Sequence, residues 1–104
     1  MWIGLNNGWL SIVEDYNDEE RLLVRARKLE HITNTFSDCD YFKDSDADYP
    51  YRAFISRDVV AKVIADSVAM IDYPNFKNSV KDGTLHNAYN EVWRTMYYTY
   101  INDR

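Results

Sequence analysis

Cysteine, glycine, proline and histidine are all scarce in this chain of 104 residues, which has one cysteine, three glycines, two prolines and two histidines. The single cysteine, Cys39, excludes an internal disulfide and favours a reducing compartment, so we expect a cytoplasmic protein. Few glycines and prolines leave little room for flexible linkers. At this length the sequence therefore predicts one domain over residues 1–104.

Long apolar runs are also missing. No run of about 18 apolar residues occurs, and the first residues have no basic segment followed by an apolar stretch. We therefore expect neither a membrane-spanning helix nor a secretion signal.

The common motifs of catalysis and metal binding are absent as well. The chain has no Cys-x-x-Cys, His-Glu-x-x-His, Gly-x-Ser-x-Gly or glycine-rich phosphate loop. The aspartates between Asp38 and Asp48 lack the central glycine and the final glutamate of an EF-hand loop, so they predict a solvated acidic loop. We therefore expect no catalytic residue, no metal and no cofactor.

The charge is acidic and uneven. The formal net charge is −5, and residues 14–48 carry eleven acidic and five basic residues. Residues 73–104 carry three acidic and four basic residues. Because binding to phosphates needs clustered cations, this acidic balance disfavours direct nucleic-acid binding.

Strand patterns occupy most of the first half. Two short β-prone runs, residues 2–5 and 9–14, flank Asn6-Asn7-Gly8, and Asn-Gly favours a hairpin turn. Leu22, Val24 and Ala26 alternate with Leu23, Arg25 and Arg27, which predicts a strand with one buried face. Residues 49–55 have strand character too. Between residues 37 and 48, the sequence predicts either a loop or a short strand, followed by an acidic loop.

Four segments are predicted to be helical. Residues 28–36 predict a short helix, and Ser56 is the expected N-cap of a longer one with the apolar stripe Val60, Val63, Ile64, Val68 and Ile71. Residues 75–80 predict one or two turns, and residues 85–100 a final helix. The predicted fold class is α+β, with an antiparallel sheet of about four strands and two to three helices on one face.

The first candidate surface is a patch of arginines. Since side chains alternate along a strand, Arg25 and Arg27 project away from the buried face, and Arg52 joins them if the two strands pair. Such a patch suits phosphate, carboxylate or an acidic protein partner. The alternative is neutralisation of these arginines in surface ion pairs, by Asp46, Asp48 and Glu14.

The second candidate surface is the aromatic last helix. Leu85, Tyr89, Val92 and Met96 recur at helical spacing and predict its core stripe. Trp93 and Tyr97 lie on a neighbouring face, together with Tyr100. This surplus of rings predicts contact with a partner or with a second copy in a homodimer.

A small enzyme remains the rival interpretation, although we expect a non-enzyme. It would use His86 with Tyr73, Lys77 and an arginine, and it requires these groups to converge in one pocket. An RNA-binding module that uses the arginine patch is the other alternative.

Several motifs together resemble a family of small proteins from bacteria and their phages that has no assigned activity. The motifs are Leu23-Val24-Arg25-Ala26-Arg27, Asp46-Ala47-Asp48-Tyr49, Tyr51-Arg52-Ala53, Asp72-Tyr73-Pro74-Asn75-Phe76-Lys77, and His86 with Tyr89, Val92, Trp93 and Met96. The resemblance implies a mobile-element setting, in which small acidic proteins often block a host or defence protein, as anti-CRISPR inhibitors do.

Our leading hypothesis is therefore a non-enzymatic interaction protein of the cytoplasm, in the manner of a phage-encoded inhibitor that acts in the host cell. Three groups of residues are its predicted partner-binding residues. They are the arginine face (Arg25, Arg27, Arg52), the acidic loop (Asp44, Asp46, Asp48) and the last helix (Trp93, Tyr97).

Overall fold

The strands form one open antiparallel sheet. The computed structural model describes residues 1–103, and its strands are β1 (Trp2–Leu5), β2 (Gly8–Glu14), β3 (Arg21–Ala26), β4 (Tyr41–Lys43) and β5 (Tyr51–Ser56). They lie in the order β1-β2-β3-β5-β4, and every neighbouring pair is antiparallel. The predicted α+β class is confirmed, and the short alternative strand at the edge brings the count to five.

Four α-helices and a final 3₁₀ turn complete the described chain. The helices are α1 (Leu29–Thr33), α2 (Arg57–Ala69), α3 (Phe76–Ser79) and α4 (Gly83–Tyr100), and the 3₁₀ turn is Ile101–Asp103. The chain divides into two compact units, Met1–Asp72 and Tyr73–Arg104. The sheet, α1 and α2 belong to the first unit, and α3 and α4 belong to the second.

The core of the first unit lies between one face of the sheet and α1 and α2. The alternation in β3 buries Val24 and Ala26, as predicted, and Ala53 pairs with Val24 on β5. Ile32 of α1 and Val60 of α2 are buried in the same cluster. The other face of the sheet has no helix of this unit packed on it, so the side chains that alternate with the core residues form an open face.

The apolar stripe of α2 is buried only along its first half. Val60 is buried, and Val63 and Ile64 pack against the core. Val68 and Ile71 are exposed, with relative exposures of 63% and 50%. Ser56 occupies the predicted N-cap position, but its side chain accepts no hydrogen bond from the helix.

The opening hairpin is confirmed, but Gly8 has a different role from the one its Asn-Gly pair suggests. The turn consists of Asn6 and Asn7, since Leu5 pairs with Gly8 in the sheet. A Cβ added at Gly8 would lie 2.9 Å from both the Cα and the carbonyl oxygen of His31 in α1. Glycine is therefore required by the close approach of a helix to the strand.

The second unit is built around the start of α4. The side chain of Asp82 accepts a hydrogen bond from the Leu85 amide at 2.9 Å and caps the helix, while the Tyr89 ring packs against Phe76 of α3 at 5.0 Å between centroids. Both Leu85 and Tyr89 are buried, as predicted.

The prediction that Val92 and Met96 continue the core stripe of α4 is wrong. Val92 and Met96 are exposed by 47% and 54%, and every residue from 91 to 100 is exposed. The reason is length: four residues of α3 span about 6 Å of helix axis, whereas the 18 residues of α4 span about 27 Å. The helix α3 can therefore cover only the start of α4.

Candidate functional site

The register of the sheet places two of the predicted arginines directly opposite each other. Arg25 of β3 pairs with Arg52 of β5, and the same row continues to Ser11 on one side and Phe42 on the other. Trp2 pairs with Ser11 and ends the row on β1. With strands about 4.8 Å apart, this row crosses all five strands over about 19 Å of the open face.

Tyr49 contacts all three predicted arginines. The guanidinium carbons of Arg25 and Arg27 lie 4.9 Å and 4.3 Å from the centroid of its ring, and Nη1 of Arg52 donates to its carbonyl oxygen at 3.5 Å. The ring is buried, with 9% exposure. Stacking on an aromatic ring holds a guanidinium by about 0.5–2 kcal/mol, so these arginines are partly ordered before any ligand binds. We call Arg25, Arg27, Arg52 and Tyr49 the arginine cluster.

The arginines differ in how far they are neutralised. Nη2 of Arg27 donates to both carboxylate oxygens of Asp48, at 3.1 Å and 3.3 Å. Arg25 donates instead to the hydroxyl of Ser11 at 2.7 Å, and its buried Nε has no hydrogen-bond partner within residues 1–103. No carboxylate of the described residues lies within 4.0 Å of a guanidinium nitrogen of Arg25 or Arg52.

The alternative that the sequence left open is therefore correct for one arginine only. Asp48 neutralises Arg27 in an exposed ion pair, whereas neither Asp46 nor Glu14 forms an ion pair within the described chain. Arg25 and Arg52 keep their charge available on the open face.

A fourth arginine on this face, Arg21, is fully occupied. Its Nη2 lies 2.7 Å from the buried carboxylate of Asp15, and its Nε lies 3.5 Å from Asp18. The Asn17 amide and the Arg21 side chain both donate hydrogen bonds to Asp15, and these lower the pKa of its carboxyl below the ordinary value. Arg21 therefore has a structural role at the start of β3.

Aromatic rings flank the arginine cluster toward both edges of the sheet, on the open face. The rings of Trp2 and Trp9 pack at 5.9 Å between centroids near β1, and those of Phe42 and Phe54 stack at 5.7 Å near β4. Trp2 is 70% exposed and Phe42 is 43% exposed. The open face thus has a cationic centre between two apolar margins, and arginine and aromatic residues are the residue types enriched at protein interfaces.

The predicted acidic loop lies beside this face, between β4 and β5. The Asp44 side chain accepts a hydrogen bond from the Asp46 amide at 3.2 Å, which makes a local turn. Both side chains are exposed, and of the three predicted aspartates only Asp48 contacts an arginine of the cluster. Asp44 and Asp46 are exposed to solvent, as expected of a solvated acidic loop.

Trp93 and Tyr97 lie on α4 in the second unit. Their rings stack at 5.3 Å with a 15° interplanar angle, and the Nζ atom of Lys77 lies 4.3 Å from the centroid of Trp93. They are exposed by 48% and 36%. This exposed pair of rings is the second surface that the sequence predicts for a partner.

The rival enzyme hypothesis places Tyr73 and Lys77 with His86. Within residues 1–103, no hydrogen bond joins the His86 imidazole to either side chain. Tyr73 packs on Phe76, and Lys77 lies over Trp93.

Cys39 lies half-buried at a cavity of about 380 Å³, which Phe36, Ile55 and Val63 also line. Burial raises the pKa of the Cys39 thiol above its ordinary value, and the adjacent Asp38 and Asp40 add to this effect. The protonated thiol is a weak nucleophile. Within residues 1–103, no three His, Cys, Asp or Glu side chains are grouped so that they could hold a metal ion.

Tyr49 is one site residue that the sequence did not reveal. Its role depends on the loop that returns it over β3, which no local pattern encodes, although its position two residues before a strand with an outward arginine is a signal. Phe42 and Trp2 were also missed, because their place in the row follows from strand order.

No helix among residues 1–103 has the length and apolar character needed to cross a lipid bilayer. Comparison of the chain with protein-family models, with curated proteins and with solved structures found no match.

Proposed function

We propose that this chain is a non-enzymatic interaction module that binds an acidic segment of a partner protein on the open face of its sheet. The observation that carries the proposal is the pair Arg25 and Arg52, which face each other across neighbouring strands without a carboxylate partner among residues 1–103. Charges held near the centre of a surface and left unpaired gain most from an opposite charge on a partner.

The composition around this pair favours a protein over a nucleic acid. Nucleic-acid binding on a sheet needs a track of cations that follows the backbone, and here Arg21 and Arg27 are neutralised by Asp15 and Asp48. Of the four arginines described on this face, two remain available, and rings flank them. An extended peptide with one or two acidic residues between apolar ones matches the row of about 19 Å.

The proposal is tested by selecting peptides from a random display library with the purified chain. We expect selected peptides to combine acidic and apolar residues, and we expect the double variant Arg25→Gln, Arg52→Gln to bind them at least tenfold more weakly. The matched control is Lys62→Gln, Lys81→Gln, which removes the same charge at two exposed lysines.

Three outcomes would contradict the proposal. The two double variants would bind equally, the selected peptides would carry no acidic residue, or single-stranded RNA would bind more tightly than any peptide. Thermal unfolding of both variants shows whether a loss of binding is a loss of folding.

The narrower parts of the hypothesis remain proposals. We propose a cytoplasmic protein, in which the partner is a host or defence protein and the bound chain acts as an inhibitor. A homodimer through Trp93 and Tyr97 is the other kind of partner that the sequence suggests. The exposure of both rings supports a contact at α4 and does not select between these partners.

A further inference from the structure

We infer that the arginine cluster binds a phosphoryl group on a side chain of the partner, and that Asp48 occupies part of this subsite until the phosphoryl group displaces it. The inference rests on the proposed function and names the group that the open face recognises. It follows from the number of guanidinium groups, their charge and the position of Asp48.

The number of donors favours a phosphoryl group. Three guanidinium groups contact Tyr49, two at its ring and one at its carbonyl oxygen. A carboxylate has two oxygens and can be satisfied by one arginine in a bidentate pair. A phosphate monoester offers three terminal oxygens, which suit several arginines at once.

The charge of the cluster leads to the same ligand. Arg25, Arg27 and Arg52 carry three positive charges, of which Asp48 neutralises one before the ligand binds and none after its displacement. A phosphate monoester carries about −1.5 to −2 at neutral pH, which comes closer to this charge than the single negative charge of a carboxylate. A phosphodiester of RNA carries a single charge and needs a series of cations along the strand, which the neutralised Arg21 does not supply.

Asp48 has the properties of a displaceable contact. Its side chain is 73% exposed and that of Arg27 is 51% exposed, so their ion pair is in contact with water. Such pairs contribute little, because solvent screens them. Asp48 also precedes Tyr49 directly, so its carboxylate stays close to the cluster after release and can return when the ligand leaves.

The test measures the affinity of three alanine peptides that differ only in a central phosphoserine, aspartate or serine, by isothermal titration calorimetry. We expect the phosphoserine peptide to bind at least tenfold more tightly than the aspartate peptide. The variant Asp48→Asn should strengthen phosphoserine binding by about two- to fivefold, since it removes an exposed competing pair. The variant Asp44→Asn is the matched control, because its exposed carboxylate does not contact the cluster, and it should change the affinity by less than twofold.

The inference is overturned if the aspartate peptide binds as tightly as the phosphoserine peptide, or if Asp48→Asn has no greater effect than Asp44→Asn. It is also overturned if a single-stranded oligouridylate binds more tightly than the phosphoserine peptide. If the aspartate and phosphoserine peptides bind equally, the proposed function still holds as long as the display selection yields acidic peptides whose binding requires Arg25 and Arg52. Loss of that selection, in contrast, removes the proposed function itself.

Discussion

Replacing Gly8 by alanine tests the contact between the opening hairpin and α1. The added Cβ would lie 2.9 Å from two backbone atoms of His31, so either β2 or α1 has to move. Overpacking of this kind costs about 1–3 kcal/mol. Alanine also restricts the unfolded chain, which offsets about 0.4–1 kcal/mol, so the midpoints of the two ranges predict a net loss of about 1.3 kcal/mol.

The matched control is Gly83→Ala at the first position of α4. A Cβ added there meets no atom within 4 Å, and neither Gly8 nor Gly83 has a positive φ, so the two substitutions differ in steric contact. We expect Gly83→Ala to leave stability unchanged or to raise it by up to about 1 kcal/mol.

The assay is thermal unfolding followed by circular dichroism, together with urea titration. For a domain of this size, a loss of about 1.3 kcal/mol lowers Tm by about 5–10 °C. If Gly8→Ala unfolds at the same temperature as Gly83→Ala, then α1 does not lie against β2 as closely as described, and the structural role of this glycine is refuted.

Three further predictions concern other parts of the chain. Leu85→Ala should destabilise the protein by about 2–5 kcal/mol and Met96→Ala by less than about 1 kcal/mol in urea titrations, since only Leu85 is buried; equal losses would restore the predicted core stripe. Because the folded-state pKa of Asp15 is lowered, its carboxylate stabilises the fold above about pH 4, and this contribution disappears as the pH falls through the folded pKa. The stability advantage of wild type over Asp15→Asn should therefore be constant from about pH 5 to 7 and should shrink in more acidic buffers; an advantage that persists there would contradict the lowered pKa. If α4 forms a homodimer, Trp93→Ala with Tyr97→Ala should reduce the mass measured by light scattering to that of a monomer, and an unchanged dimer would exclude these rings from its interface.

Local patterns were sufficient for most of the fold. The alternation of Leu22, Val24 and Ala26 predicted a strand with one buried face, because the period of two is a property of the strand itself. The same period placed Arg25 and Arg52 on the opposite face, and the pairing of β3 with β5 brought them together as expected.

The predictions that failed concern residues whose burial or close contacts depend on another element of the fold. Val92 and Met96 continue the spacing of Leu85 and Tyr89, but helical spacing does not reveal that α3 ends after one turn. Asn7-Gly8 is a strong turn signal, yet the constraint on Gly8 comes from His31, which lies more than twenty residues further along the chain.

The candidate site, too, could be predicted only in part. Strand periodicity predicted the arginines, whereas the role of Tyr49 requires the path of the loop that follows β4. Whether Asp46, Asp48 and Glu14 neutralise one arginine or all three also depends on distances between side chains, which a sequence does not contain. The result is a patch that is only partly neutralised, with Arg25 and Arg52 available.

The most direct test of the account is to locate a bound peptide on the chain. We propose to titrate ¹⁵N-labelled protein with an acidic peptide from the display selection and to follow the amide signals by NMR. Binding at the open face predicts that the largest changes occur at Arg25, Tyr49 and Arg52, and that they vanish in the Arg25→Gln, Arg52→Gln variant. Changes confined to residues 83–100, or unaltered by that variant, would contradict it.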